Sequence, residues 1–486
     1  MSLSFDTYSN LESQIQSLET NNNISKLREL KLQRIITSQS ATKHISIQEL
    51  RWLESNGYSI TKFNSSNPLG TYAIDDFQNA WEENQINTQT KNSSIYRIQK
   101  SLPDGFQLTS KAPIILNQNQ IDKHPFKSIP THTMFISTWT KERSWSNSSL
   151  IPFSNLGLKA INTANQYAQG GFEGAVVSVN KEGKIFSFRP EENAKRLQRT
   201  CEAICMPTIS TEFYLEATRL SILSNSDYLP TPGSESKLYV RPTVFGIDGG
   251  SGVSPANTYI FLIVVFPFTS YFSGKDHTLN LYSFADSRRS TPGGIGHHKY
   301  SGNYGRTMRD KMQAKDGING IKYDDVFYLG DSVIKTEENG NKVIEEVLEE
   351  DAAGCLIFWS IDITTEKVTL YTPSLARETI LPSITRSSIL EIGKSMGFKI
   401  IETHISFNQL ENMDGGMIVG SAAGAVRLNS LTSRNKTIKF SSDINKTKVF
   451  SDLYDQLYEV RKGKTSKFSH QPESNIHNWP NLVEPI

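Results

Sequence analysis

"GGIGHHKYSGNYGRTM", Gly293 to Met308, sets one lysine, Lys299, among glycines and small residues, with Tyr304 five residues further on. Such a stretch reads as a loop in which the backbone turns tightly or lets another group come close. A lysine there is a surface cation, a phosphate ligand or a nucleophile, and the choice decides both fold and chemistry. The P-loop pattern is not matched, since Tyr300 follows Lys299 and no glycine directly precedes it. A dinucleotide fingerprint at the end of a strand is not matched either. His297 and His298 are adjacent and so project to different sides, with no further ligand at metal spacing. The chain has no G-x-S-x-G elbow.

Composition narrows the field. The chain has 486 residues, more than one ordinary core holds, so two or three domains are expected. It is 37% hydrophobic and 21% charged, as in a globular protein, and 51 basic residues against 50 acidic give a net charge of +1. With no long basic block, nucleic acid and membrane surfaces are poor partners. Cys201, Cys205 and Cys355 are too scattered for a disulfide framework and read as reduced, buried thiols. The most apolar run, Tyr259 to Phe268, is half a membrane span and reads as a strand buried on both faces. The start, "MSLSFDTYSN", has neither a basic nor an apolar leader region, which points to the cytoplasm.

Residues 1–110 are rich in Asn, Gln, Ser and Thr and read as a mostly helical extension. "SIQELRWLESNGY" opens on a capping box, Ser46 and Glu49, and stops at Gly57; "IDDFQNAW" is a second short helix; "ENQINTQTKNSS" is a linker. From about 112 onward strands and helices mix. "FEGAVVSVNKEGKIFSF" reads as a hairpin, and "RPEENAKRLQRTCEAI" as a helix with Pro190 in its first turn and acids at its positive end. "KLYVRPTVFGI", "NTYIFLIVVFPF" and "LYSFADSRRS" read as strands. "GCLIFWSIDITTEKVTLYTP" is strand-like and "SITRSSILEIGKSMG" helical; "KIIETHI" and "GMIVGSAAGAVRL" continue the alternation. The pattern is α+β with mixed sheets in two lobes, 111–280 and 281–486.

A lysine that forms an imine needs a partly buried site and a group to orient it. If the imine partner is pyridoxal phosphate, a carboxylate must face the pyridine nitrogen, a hydroxyl the phenolic oxygen, and an arginine with a helix start the phosphate. The chain offers Glu349, Glu350 or Asp351 in "LEEDAAG"; Tyr304; Arg196; and the start of the "SITRSSIL" helix.

These segments, in this order, resemble the branched-chain amino-acid aminotransferases, fold type IV pyridoxal-phosphate enzymes. "QYAQGGFEGAVVSV" is similar to the family's Tyr-x4-Phe-Glu-Gly segment, and "FRPEENAKRL" to its Arg-Pro-x-x-Asn-x-x-Arg. "GGIGHHKYSGNYGRT" is similar to the cofactor loop, and "TPSLARETILPSITRSSIL" to the Thr-Pro…Ile-Leu-Pro-Gly-Val-Thr-Arg segment. The resemblance implies that Lys299 carries the cofactor and shuttles the proton. Arg196, the backbone of Ile384 and Thr385, and the Ser421–Ala423 turn would hold the phosphate. Tyr304 would contact the phenolic oxygen and Glu350 the pyridine nitrogen. Tyr167, Phe172 and Tyr271 would wall the side-chain pocket, Tyr239 and Arg241 would take the distal carboxylate of glutamate, and Gly424 would lie by the substrate. Val253 would reach a partner's site in a homodimer. The substrates implied are a branched-chain-like amino acid and 2-oxoglutarate.

The chain departs from the pattern in places. "EDAAGC" removes a threonine at Ala353, "SAAGA" places Ala423 where a phosphate-binding threonine belongs, Ser383 replaces a glycine, "LARET" is one residue longer, and Val176 stands where lysine is common. Two other functions fit the same residues: a class IV enzyme for an unusual amino acid, and a non-catalytic interaction protein that docks through 1–110.

Overall fold

A computed structural model of the chain describes residues 106–272, 277–336, 342–464 and 479–483. The helices expected at 46–57 and 74–81 and the linker at 83–94 lie outside the described residues.

Two sheets organise these residues. The first has eight strands, with Thr258–Phe268 in the middle, antiparallel to Lys237–Gly246 on one side and Thr133–Thr140 on the other. Its expected hairpin joins Ala175–Val179 to Ile185–Phe188, and Gly183 closes the turn at φ +80°, where a side chain would be strained. The second sheet has nine strands and is mixed. Thr278–Ser283 runs parallel to Gly424–Ser433, while Cys355–Ile361 is antiparallel to Val368–Pro373 and to Gly415–Gly420. The sheets change over near residue 280, but Pro480–Leu482 returns to pair with Ile185–Phe188. The C-terminal lobe expected from sequence therefore contributes to both sheets.

Three helices matter for the site. Pro190–Ala203 starts with Pro at its first position and Glu191 and Glu192 in its first turn, where the amides are unpaired and acids are favoured. Ile384–Ser395 is capped by Ser383, whose hydroxyl accepts from the Arg386 amide at 3.3 Å. Serine replaces glycine here without strain, since φ is −71° and the side chain supplies the cap. Ile444–Arg461 packs across the second sheet, where Trp359 Nε1 donates to the Lys446 carbonyl at 3.0 Å.

One apolar core joins these layers, from Val177, Val240 and Phe261 through Leu197, Ile389 and Leu453 to Ile357 and Trp359. Val176, which stands where lysine is common in the family the chain resembles, is buried in it. A second core, with Phe327, Phe358 and Leu428, includes the opposite face of the second sheet.

Some expectations change. "GMIVGSAAGAVRL" forms a hairpin, Gly415–Gly420 and Gly424–Ser433, with its turn at Ser421–Ala423 and Gly424 at φ +69°. Cys201 and Cys355 are buried and Cys205 is exposed; all three are free thiols. Trp359 is wholly buried, and a Cβ added to the facing Gly415 would lie 2.0 Å from its ring. Trp359→Ala is expected to cost about 3–5 kcal/mol through the cavity it leaves. Chemical denaturation measures this; a loss below ~1 kcal/mol would contradict the packing described.

Candidate active site

The glycine-rich loop is pinned on both sides of Lys299. The Lys299 amide donates to Thr200 Oγ1 at 3.0 Å, and its carbonyl accepts from the Phe172 amide at 3.1 Å. The Asn303 side-chain amide donates to the carbonyls of Ile295 and His298 at 2.9 and 3.0 Å, tying the loop to itself. Glycine is required at 171, because a Cβ there would come within 2.6 Å of the Thr200 methyl. So held, Lys299 Nζ donates to the Tyr304 hydroxyl at 2.9 Å and sits 4.9 Å from the centre of the Phe172 ring.

Lys299 opens into a cavity of about 280 Å³. Four cations line it, Arg196, Arg241, Arg289 and Lys299, against the carboxylates Glu350 and Asp351. That balance suits an anion.

Arg196 is buried, and its Nε and Nη2 donate to the two oxygens of the fully buried Glu173 at 2.7 and 2.8 Å. Asn193 also donates to Glu173, at 2.7 Å. Burial disfavours the Glu173 charge, but the Arg196 charge and hydrogen bonds outweigh it and hold the carboxyl below the usual range. Nη1 of Arg196 reaches the Pro382 carbonyl at 3.2 Å, just before the Ile384–Ser395 helix.

Of the three consecutive acids, Glu350 has the geometry to meet a ligand. Its Oε1 accepts from Arg289 at 2.6 Å and from the Leu381 amide at 3.0 Å. Among the described residues its Oε2 meets only the Cys355 thiol, at 3.5 Å, which leaves that oxygen for another donor. Burial raises the Glu350 pKa and Arg289 opposes the rise. Asp351 Oδ1 is engaged by the amides of Ala353 and Gly354 in the turn that follows. Glu349 lies outside the cavity lining.

Phe172, Tyr239 and Tyr271 form an aromatic wall, joined by Phe126, whose ring meets Tyr239 and Tyr271 edge-on at 4.8 and 5.1 Å. Arg241 Nη2 donates to the Tyr239 hydroxyl at 3.3 Å, and its guanidinium lies 4.7 Å from the Phe172 ring centre. Its Nε has no hydrogen-bond partner among the described residues. Ala353, Ser421 and Ala423 also line the cavity.

Two expected residues, Tyr167 and Gly424, sit elsewhere. Tyr167 is 37% exposed and donates to the Gly250 carbonyl at 3.1 Å, so within one chain it does not wall the cavity. Gly424 faces a separate, smaller cavity. Ile384 and Thr385 are buried in the helix start, which meets the main cavity through Ser383. The residues missed from sequence are Phe126, Glu173, Arg289 and Cys355. Glu173 stands inside the Phe-Glu-Gly segment and Arg289 five residues before the Gly-Ile-Gly turn, so both had a signal; Phe126 had none.

The amino-transferase class IV family model matches residues 170–431, which include Lys299, Arg196's helix and Glu350. The chain belongs to the class IV branched-chain aminotransferases. It is 34% identical to branched-chain-amino-acid aminotransferase 5, chloroplastic, of Arabidopsis thaliana, over 70% of this chain and 77% of that one. It is 33% identical to the Helicobacter pylori branched-chain-amino-acid aminotransferase, over 70% of this chain and 93% of that one. The fold resembles the branched-chain amino acid aminotransferase of Thermobaculum terrenum in its PLP-form, with a TM-score of 0.53, 18% identity, and 73% and 99% of the two chains covered. The chain is thus an aminotransferase, acting on amino acids and oxo acids.

Glu349 yields a test of the electrostatics at this aminotransferase site. Burial, opposed chiefly by the Thr379 hydroxyl, pushes its pKa from 4.5 up to about 7. A carboxyl raised on folding contributes its stability below the unfolded pKa and loses it as pH rises through the folded value. Between about pH 4.5 and 7 the parent therefore loses stability that Glu349→Gln keeps. Thermal melts near pH 5 and pH 8 should show the variant's advantage growing with pH; an unchanged difference would contradict the assignment.

Proposed function

We propose that this aminotransferase uses pyridoxal 5'-phosphate to exchange an amino group between an apolar, branched-chain-like L-amino acid and 2-oxoglutarate. The observation that carries the reading is the Lys299 Nζ–Tyr304 contact, in a cavity that also holds Arg196 beside a helix start and a Glu350 oxygen open to a donor. The residues fit the group. Glu350 Oε2 would accept from the pyridine nitrogen, and Tyr304 would meet the phenolic oxygen. Arg196, the amides of Ile384 and Thr385 and the Ser421 hydroxyl would take the phosphate, while Ala423 offers no hydroxyl.

When bound, the cofactor supplies an electron sink for the bond at the substrate Cα. The rest falls to the chain. Arg289 favours the ionised form of Glu350, which the acceptor role requires. Lys299 is the one lysine among the described residues that line the cavity, so its Nζ would take the proton from the substrate Cα and deliver it to the carbon that takes over the amino group. Phe126, Phe172, Tyr239 and Tyr271 exclude water and favour an apolar side chain, at roughly 0.8 kcal/mol for each buried methylene. Arg241, with its unpartnered Nε, suits the distal carboxylate of glutamate. The missing hydroxyls at Ala353 and Ala423 are expected to weaken hold on the α-carboxylate and phosphate by about 0.5–1.5 kcal/mol for each hydrogen bond lost.

The homodimer belongs to this proposal. Val253 is 92% exposed, and Tyr167 bonds to Gly250 three residues before it, so both lie on a face suited to complete a partner's cavity. Residues 1–110 are proposed as an accessory layer.

Two outcomes are expected. The purified protein should absorb visible light, borohydride should fix the cofactor to the peptide carrying Lys299, and Lys299→Ala should have no measurable turnover; a colourless chain that cannot be reconstituted would overturn the reading. Arg241→Met should raise the KM for 2-oxoglutarate by about 10–100-fold, the worth of a hydrogen bond to a charged group, with little change for leucine. Equal effects on both substrates would remove Arg241 from the distal carboxylate.

A further inference from the structure

Behind the Ser421–Gly424 turn lies a second cavity, of about 70 Å³, separated from the first by Ala422 and Ala423. One water needs only about 10–15 Å³ of such space. Two cations face it from different elements. Lys237 begins a strand of the first sheet, and Arg461 ends the Ile444–Arg461 helix. Arg461 is 4% exposed, and no carboxylate among the described residues pairs with it. Its Nη2 donates to the Thr385 hydroxyl at 3.3 Å, and its Nε has no partner among them. Lys237 Nζ donates to the carbonyls of Glu235 and Thr269 at 2.7 and 3.4 Å, leaving one N–H. Burial pulls Arg461 down to about 10 and Lys237 to about 8.

Arg461, buried, and Lys237, half-buried, both keep spare donors, and cations withdrawn from water in this way are costly unless an anion joins them. The helix C-terminus offsets part of the Arg461 charge, but the guanidinium is turned toward Thr385 and the Phe188 ring. Glu235 lines the cavity too, as an exposed residue. Tyr454 and Tyr458 are the other titratable groups there, and the Ser270 side adds a polar edge. The cofactor phosphate would lie on the far side of Ala422 and Ala423.

We propose that this second cavity binds a small oxyanion of the inorganic phosphate or sulfate class, clamped between the Arg461 guanidinium and the Lys237 ammonium. Arg461 supplies the planar fork that matches two oxygens, and Lys237 a point charge opposite. The site is separate from the catalytic reading given above and does not depend on it.

Calorimetric titration of inorganic phosphate into cofactor-saturated enzyme, at constant ionic strength with chloride as reference, tests it. One saturable site per chain is expected, with sulfate competing. Arg461→Gln and Lys237→Gln should each weaken phosphate at least about tenfold. No saturable uptake, or uptake unchanged in Lys237→Gln, would overturn the proposal; the Lys237 variant carries the test if Arg461→Gln does not fold. A chain that takes up no cofactor would sink the catalytic reading alone, because Lys237 lines the second cavity and not the first, and its variant still decides the anion site.

Discussion

Glu173 and Arg196 are sealed from solvent together, and the rest of the site is arranged around that pair. An unpaired guanidinium at this depth is costly. Pairing offsets that cost, and removing either partner would strand a buried charge at a cost of about 3–5 kcal/mol. The pair fixes the Pro190–Ala203 helix against the strand that carries Phe172. One turn further along that helix, Thr200 holds the Lys299 amide, so the same constraint sets the lysine. The remaining Arg196 nitrogen reaches Pro382 and brings the second helix start to the cavity.

The cavity lies where the two sheets share a core. Strands of the first sheet supply Phe172, Tyr239 and Arg241, the segments flanking them supply Phe126 and Tyr271, and the end of a second-sheet strand supplies Glu350. Helices between the layers supply Arg196 and the Ser383 cap. Aromatic rings and cations therefore line one space, which suits the proposed exchange between an apolar and a dicarboxylic substrate.

Much of this was legible from sequence where one physical signal dominated. The run from Tyr259 to Phe268 has no polar residue with which to face solvent, so it reads as a buried strand. Pro190 with Glu191 and Glu192 marks a helix start whatever surrounds it. Thr133–Thr140 and Ser144–Pro152 were not named as strands, because their serines mask the alternation; Ser137 and Ser148 bond to one another across the pair at 2.9 Å. The long antiparallel pair Asp325–Thr336 and Lys342–Asp351 was hidden by its charges in the same way. Glu349, Glu350 and Asp351 could not be told apart in sequence. The two-residue period of a strand separates Glu349 from Glu350, and the turn amides engage Asp351. Tyr167 and Gly424 carried the right residue types but depend on tertiary placement, which no local pattern encodes.

The central claim is that Lys299 presents a bound cofactor to an apolar amino acid, with Arg241 receiving the dicarboxylic partner. A half-reaction screen tests it most directly, following the cofactor's visible absorbance as single amino acids are added in the absence of any oxo acid. Leucine, isoleucine, valine and glutamate should each bleach the absorbance. Bleaching by aspartate, lysine or aromatic amino acids, with none by the aliphatic ones, would contradict the account.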